Sequence, residues 1–85
     1  MKAYVTVTLK PGVLDPQGKA IANALGQLGF DDVGGVRQGR YFELDLDETD
    51  KTRAHEAVDA ICRQLLANTV IENYDIAFEP VAGRQ

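Results

Sequence analysis

Leu9-Lys10-Pro11-Gly12-Val13-Leu14-Asp15-Pro16-Gln17-Gly18 carries a strand stop, a turn and a helix start in ten residues, and the rest of the chain is placed by it. Ahead of it Val5, Val7 and Leu9 alternate with Thr6 and Thr8, the period-two pattern of a strand with one buried face. Pro11 cannot donate a ladder hydrogen bond, so the strand ends there, and Gly12 frees the backbone to turn. Asp15 stands where an N-cap belongs, its carboxylate able to accept from the orphan amides of the first turn. Pro16 follows at the first helical position, where its missing N–H costs nothing.

Downstream, the spacing predicts a helix over residues 16–28. Ile21, Leu25 and Leu28 form its apolar stripe beside Ala20 and Ala24, with Lys19, Asn23 and Gln27 opposite. Gly18 and Gly26 each cost a helix about 1 kcal/mol against alanine, so this one depends on packing. Gly29 takes the place of a left-handed C-terminal cap. After Asp31-Asp32, residues 33–47 read as strand, with Val36, Gln38, Arg40, Phe42, Leu44 and Leu46 on one face. A tight two-residue hairpin at Gly39-Arg40 would mix apolar and charged residues on that face. A three-residue loop centred on Gly39, or one long strand kinked there, keeps them apart.

A second helix opens at Thr49-Asp50, with Thr49 the preferred N-cap, and buries Ala54, Ala57, Val58, Ile61 and Leu65 beside Cys62. A last strand turns Tyr74, Ile76 and Phe78 one way, and Pro80 ends it. The order is strand, helix, long or double strand, helix, strand. That implies an α+β two-layer sandwich, an antiparallel sheet with two helices on one face, ferredoxin-like (split βαβ) or a close variant. Residues 1–80 make one domain and residues 81–85 a C-terminal tail.

Eighty-five residues give a small core, which makes pairing with a second chain an ordinary expectation. A net charge of −4 argues against a nucleic-acid surface. No apolar run approaches the roughly 20 residues of a membrane span. The start, Met1-Lys2-Ala3-Tyr4, enters a strand with no signal region, and a lone Cys62 suits a reducing compartment, so a cytoplasmic protein is expected.

Chemistry is not written into the chain. His55 is the only histidine and has no nameable partner, and Cys62 borders the apolar stripe as a structural thiol would. One His and one Cys on a single helix do not make a metal site. The acids Asp31, Asp32, Asp45, Asp47, Glu48 and Asp50 lack the spacing of a calcium loop and read as loop solvation and helix capping. Gly34, Gly35 and Gly39 open no helix and so form no phosphate cradle. Arg37 and Arg40 stand out: each is a solvated strand residue, or, for Arg40 in phase with Phe42, a group reaching a partner's carboxylate.

The opening stretch also resembles the PurS family, the small subunit of formylglycinamidine ribonucleotide synthase in purine biosynthesis. Two further matches follow in order: V-R-Q-G-R-Y-F-E-L resembles V-R-x-G-K-Y-I-E-L, and L-L-A-N-T-V-I-E-N-Y resembles L-L-A-N-P-V-I-E-D-Y. Departures are Gln38 for valine, Arg40 for lysine and Thr69 for proline. The resemblance implies a non-catalytic subunit that assembles the glutaminase PurQ with the synthetase PurL and supports ammonia transfer, as a homodimer or tetramer in isolation. It implies no cofactor bound by this chain, with ATP, Mg and glutamine used by the complex. Carried over by position, Pro11, Gly12, Asp15, Pro16, Gly18 and Gly39 shape the backbone, while Lys10, Gln17, Arg37, Arg40 and Tyr41 are candidates for partner contact. Alanine at Arg40 or Tyr41 is then expected to weaken assembly and leave the melting temperature nearly unchanged. The alternative is a small-molecule-sensing regulatory domain of ferredoxin-like fold, which would want a glycine-rich effector loop where Pro11-Gly12 stands. An acylphosphatase-like hydrolase would want an arginine in a phosphate-cradling loop after the first strand, where this chain has Lys10 followed by proline.

Overall fold

A computed structural model describes residues 1–79. Strand β1 (Lys2–Leu9) lies between β2 (Gly39–Asp45) and β3 (Glu72–Ala77), antiparallel to both, so that β2 and β3 are the edges of a three-stranded sheet. Val5 faces Phe42 on one side and Ile76 on the other, which puts the apolar sets of all three strands on one face. Mutual hydrogen bonds between Met1 and Leu46, at 2.7 and 2.8 Å, extend the β1–β2 ladder by one rung.

Helix α2 (Lys51–Ile61) and the π-helical turn that continues it (Cys62–Leu66) cover that face. Ala3, Val5 and Val7 of β1 are buried with Val58, Cys62 and Ala67, and Phe42, Leu44, Leu46, Tyr74, Ile76 and Phe78 pack half-buried around them. Asp50, not Thr49, is the N-cap: its carboxylate accepts from the Thr52 amide at 2.9 Å. Ala54, Val58 and Cys62, spaced by four, are the buried stripe, while Ala57 and Leu65 face solvent. The Ala67 amide donates to the Cys62 carbonyl five residues back, and this wider turn shifts the helical phase by one residue. Leu66 therefore follows Cys62 onto the core and Leu65 swings out.

Helix α1 (Pro16–Gln27) has both ends as expected. Asp15 caps it by accepting from the Gly18 amide at 2.8 Å. At its end Gly29 takes φ +94°, and the amides of Gly29 and Phe30 donate to the carbonyls of Gly26 and Leu25, the paired bonds of a Schellman motif. Its packing differs from expectation. Only Gly18 is buried, and Ile21 and Leu28 are exposed rather than laid on the sheet. Of the region 33–47, only Gly39–Asp45 is strand; residues 33–38 run without regular structure, so neither a hairpin nor one continuous strand forms. The α+β class, the antiparallel sheet and the two helices stand. Among the described residues no helix is long and apolar enough to cross a membrane. Pro80 and the expected tail at residues 81–85 lie outside the described residues.

Candidate functional site

The strand–helix corner is built as its sequence dictates. The Val13 amide donates to the Lys10 carbonyl at 3.1 Å, and Gly12 takes φ +87°. This is a turn with proline second and a positive-φ glycine third, the arrangement those two residues favour. The Lys10 amide donates to the Ile71 carbonyl at 2.8 Å, which ties the corner to the approach of β3.

Asp15 does more than cap. Its Oδ1 accepts from the Gly18 amide and its Oδ2 from the Gln38 amide at 3.0 Å, so one carboxylate joins the start of α1 to the residue before β2. The Gln38 bond first, and the Gly18 bond next, hold its carboxyl below the usual aspartate value. Gly18 is required by contact: a Cβ there would sit 2.4 Å from the Val36 carbonyl oxygen. Gly39 is required likewise, since its Cβ would fall 2.3 Å from the Val7 carbonyl oxygen.

The five partner-contact candidates separate into three places. Lys10 and Arg37 line one end of an open polar groove of about 740 Å³ that also takes in Arg63, Asn73 and Asp75. Arg37 donates from its guanidinium to the Leu9 carbonyl, which fixes it beside Lys10. Gln17 and Arg40 share a smaller depression of about 240 Å³ with Asp15 and Glu72. Tyr41 is on the outer face of the sheet, opposite to Arg40, its ring stacked near Tyr4 with centroids 6.3 Å apart. Arg40 reaches a carboxylate of its own chain: its guanidinium lies 2.7 and 2.8 Å from the two oxygens of Glu72 and 3.1 Å from the Leu66 carbonyl. Glu72 also accepts from the Asn68 amide at 2.7 Å.

Sequence reasoning passed over Glu72, although it falls within the I-E-N-Y match and in phase with Tyr74. The Asp59–Arg63 pair, four apart on α2 and its π turn, follows from helical spacing, but the third member of their network does not: the Tyr74 hydroxyl donates to Asp59 at 2.5 Å and accepts from Arg63 Nε at 3.2 Å. That network, with Tyr74 first and Asp59 next, pushes the Arg63 guanidinium pKa up. Cys62 is fully buried, and desolvation, then the nearby Asp59 charge, push its thiol up. His55 packs toward the Phe78 ring, 6.5 Å between centroids. Among the described residues no three His, Cys, Asp or Glu side chains gather as a metal site would require.

Arg37 and Arg40 are thus both held by bonds within the chain, beside a corner whose backbone is tied at Lys10. The PurS model, described as phosphoribosylformylglycinamidine (FGAM) synthase, matches residues 2–80. The chain belongs to the PurS family. It is 54% identical over 79 residues to the PurS subunit of phosphoribosylformylglycinamidine synthase from Synechocystis sp., covering 93% of this chain and 79% of that one. Against the Bacillus subtilis PurS subunit it is 42% identical over 83 residues, 98% of each. Among solved structures, Methanocaldococcus jannaschii PurS aligns with a TM-score of 0.81 at 39% identity, over 89% of this chain and 92% of that one. A chain in the structure of PurLQS from Thermotoga maritima aligns with a TM-score of 0.82 at 30% identity, over 89% and 93%. The PurS likeness therefore spans the strand–helix corner, both helices and all three strands.

Proposed function

We propose that this chain is the PurS subunit of FGAM synthase in purine biosynthesis, holding the glutaminase PurQ to the synthetase PurL. The observation that carries this is the family match over residues 2–80, joined to the structural likeness to a chain of PurLQS. The chain's polar groups support a binding rather than a chemical role. Asp15 caps and ties the backbone, Arg40 and Glu72 clamp two strands, and Arg63, Asp59 and Tyr74 bond to one another. ATP, Mg and glutamine are used by the other two subunits, in the cytoplasm, and this chain acts as a dimer or tetramer. Lys10, Gln17, Arg37 and Tyr41 meet the partners. An adaptor of this kind raises the overall rate by stabilising the closed assembly, so that ammonia passes between active sites before water can protonate and dilute it.

The test is glutamine-dependent formation of formylglycinamidine ribonucleotide by cognate PurL and PurQ, with and without this chain. Strong dependence on the chain, with no turnover from it alone, is the expected result. Full activity in its absence overturns the reading.

A further inference from the structure

The groove that Lys10 and Arg37 close at one end carries charges that the fold does not use. Its floor is the outer face of the sheet, where the register sets Thr8 opposite Asn73 and Thr6 opposite Asp75. Lys10 continues the phase of Thr6 and Thr8, and its amide is bonded to the Ile71 carbonyl, so it stands beyond the Thr8–Asn73 pair. Arg63, Tyr74 and Glu72 also line the groove, but each is engaged: Arg63 with Asp59 at 3.0 Å, Tyr74 with both of these, and Glu72 with Arg40.

Three charges remain. Among the described residues the Lys10 ammonium and the Asp75 carboxylate have neither a hydrogen bond nor an ion pair, and Arg37 has one hydrogen bond, to the Leu9 carbonyl. Asp15 feels the Arg37 charge, but its two oxygens are taken by the Gly18 and Gln38 amides. In a chain of net charge −4, two cations thus stand together with no carboxylate bonded to either. The bond to Leu9 sets the Arg37 guanidinium in place with its other N–H groups to offer, and Lys10 adds a point charge. Such a pair repels itself, and a dianion relieves it. A phosphate monoester carries about −1.5 to −2 at pH 7 and presents three acceptor oxygens.

At the other end the charge reverses. Asp75 lies four residues along β3 from the level of Lys10, about 13 Å, and repels a second anion. It accepts hydrogen bonds instead, as a carboxylate does from the hydroxyls of a ribose. Between the two ends Thr6, Thr8 and Asn73 offer hydroxyl and amide groups rather than apolar surface. The groove's volume, about 740 Å³, falls within the range of small-molecule sites, about 300–1,000 Å³.

We propose that this groove binds a ribose 5-phosphate group, its phosphate on Lys10 and Arg37 and its hydroxyls on Asn73 and Asp75. The group is common to free sugar phosphates and to ribonucleotides. A bare phosphate leaves Asp75 without a donor, and a chain of phosphates runs into it. The inference deepens the part that Lys10 and Arg37 take in partner contact without resting on the adaptor reading, because the ligand binds the chain on its own.

Calorimetric titration of the isolated full chain tests it, with ribose 5-phosphate, ribose, inorganic phosphate and adenosine 5′-monophosphate as probes. Ribose 5-phosphate is expected to bind, ribose not to bind, and inorganic phosphate to bind more weakly. Lys10→Met, which removes a side chain that has no bond in the fold, is expected to weaken ribose 5-phosphate by about tenfold or more, the value of one charge-assisted hydrogen bond. Lys19→Met, on α1 and outside the groove, should leave it unchanged. Asp75→Asn should weaken ribose 5-phosphate and not inorganic phosphate. Tighter binding of the nucleotide assigns the group to ribonucleotides, and equal or weaker binding assigns it to free sugar phosphates; both outcomes support the site. No binding of ribose 5-phosphate at millimolar concentration, equal losses in Lys10→Met and Lys19→Met, or inorganic phosphate bound as tightly as ribose 5-phosphate would each overturn it. So would a groove that serves protein alone, seen as Lys10→Met weakening the capture of PurL or PurQ by a chain that binds none of the probes. The titrations contain neither PurL nor PurQ, so the ligand site and the adaptor role can fail separately.

Discussion

Arg40 on β2 and Glu72 at the start of β3 meet across the end of the strand between them, with contacts of 2.7 and 2.8 Å to the two carboxylate oxygens. Because Arg40 also holds the Leu66 carbonyl and Glu72 also holds the Asn68 amide, the pair closes the open end of the core under the π turn. Arg40→Ala is therefore expected to cost about 1 kcal/mol, the scale of a partly exposed, multiply bonded pair. In a domain this small that lowers the melting temperature by roughly 4–8 °C. Arg40→Lys, which restores the residue of the family pattern, should recover part of it. A thermal melt of the three proteins checks this, and an unchanged melt for Arg40→Ala would return Arg40 to a purely external role.

Gly18 and Gly26 sit on the same helix and should respond oppositely to alanine. At Gly18 the new methyl would meet the Val36 carbonyl oxygen at 2.4 Å, whereas at Gly26 nothing lies within 4 Å. Gly26→Ala is expected to stabilise by about 0.5–1 kcal/mol through helix propensity and the unfolded state. Gly18→Ala is expected to destabilise despite the same propensity gain, because backbone rather than a side-chain tip must move. Denaturant midpoints of the two variants decide it.

What the sequence could tell follows from the range of each interaction. The corner of Pro11, Gly12, Asp15 and Pro16 and the cap at Gly29 are local, and the structure has them where they are expected. The phase of Phe42, Leu44 and Leu46 was readable because a strand repeats every two residues. The destination of Arg40 was not, since its partner is 32 positions away and nothing local selects it. Neither was the stand-off of α1. An apolar stripe says that a helix will be covered but not by which chain, and the contacts that aim α1 join Gly18 and Asp15 to Val36 and Gln38 across a long connection. Leu65 was misplaced for a third reason: the π turn adds a residue that a strict 3.6-residue period does not anticipate.

Asp15 makes the corner pH-sensitive in a defined direction. Its folded-state carboxyl is held below its ordinary value by the Gln38 and Gly18 amides, so the ionised form is the one that stabilises. That contribution is fully present above the unfolded value of about 3.9 and is lost as pH falls through the lower folded value. Asp15→Asn should therefore melt below wild type at pH 7, and the gap should narrow as the pH is taken below about 4. Melts of both proteins across that range measure it, and a gap independent of pH would mean that the charge on Asp15 is immaterial.

Cys62 should be inert in the native protein. It is fully buried at the start of the π turn in the cluster with Val5, Val7 and Val58, and desolvation followed by the Asp59 charge raises its pKa, so little thiolate exists at neutral pH and reagents cannot reach it. A chromogenic disulfide reagent is expected to label one thiol per chain promptly in denaturant and only slowly without it, at the rate of unfolding or local opening. Cys62→Ser should destabilise by about 1–3 kcal/mol, because a hydroxyl would enter an apolar core whose neighbours Val5, Val7 and Val58 offer no side-chain hydrogen bond. Cys62→Ala, which removes the sulfur without adding a polar group, separates the two contributions: a milder loss assigns the cost to the buried hydroxyl, and an equal loss assigns it to packing. Prompt labelling of the native chain would show instead that the π turn opens readily and that the thiol is exposed to chemistry.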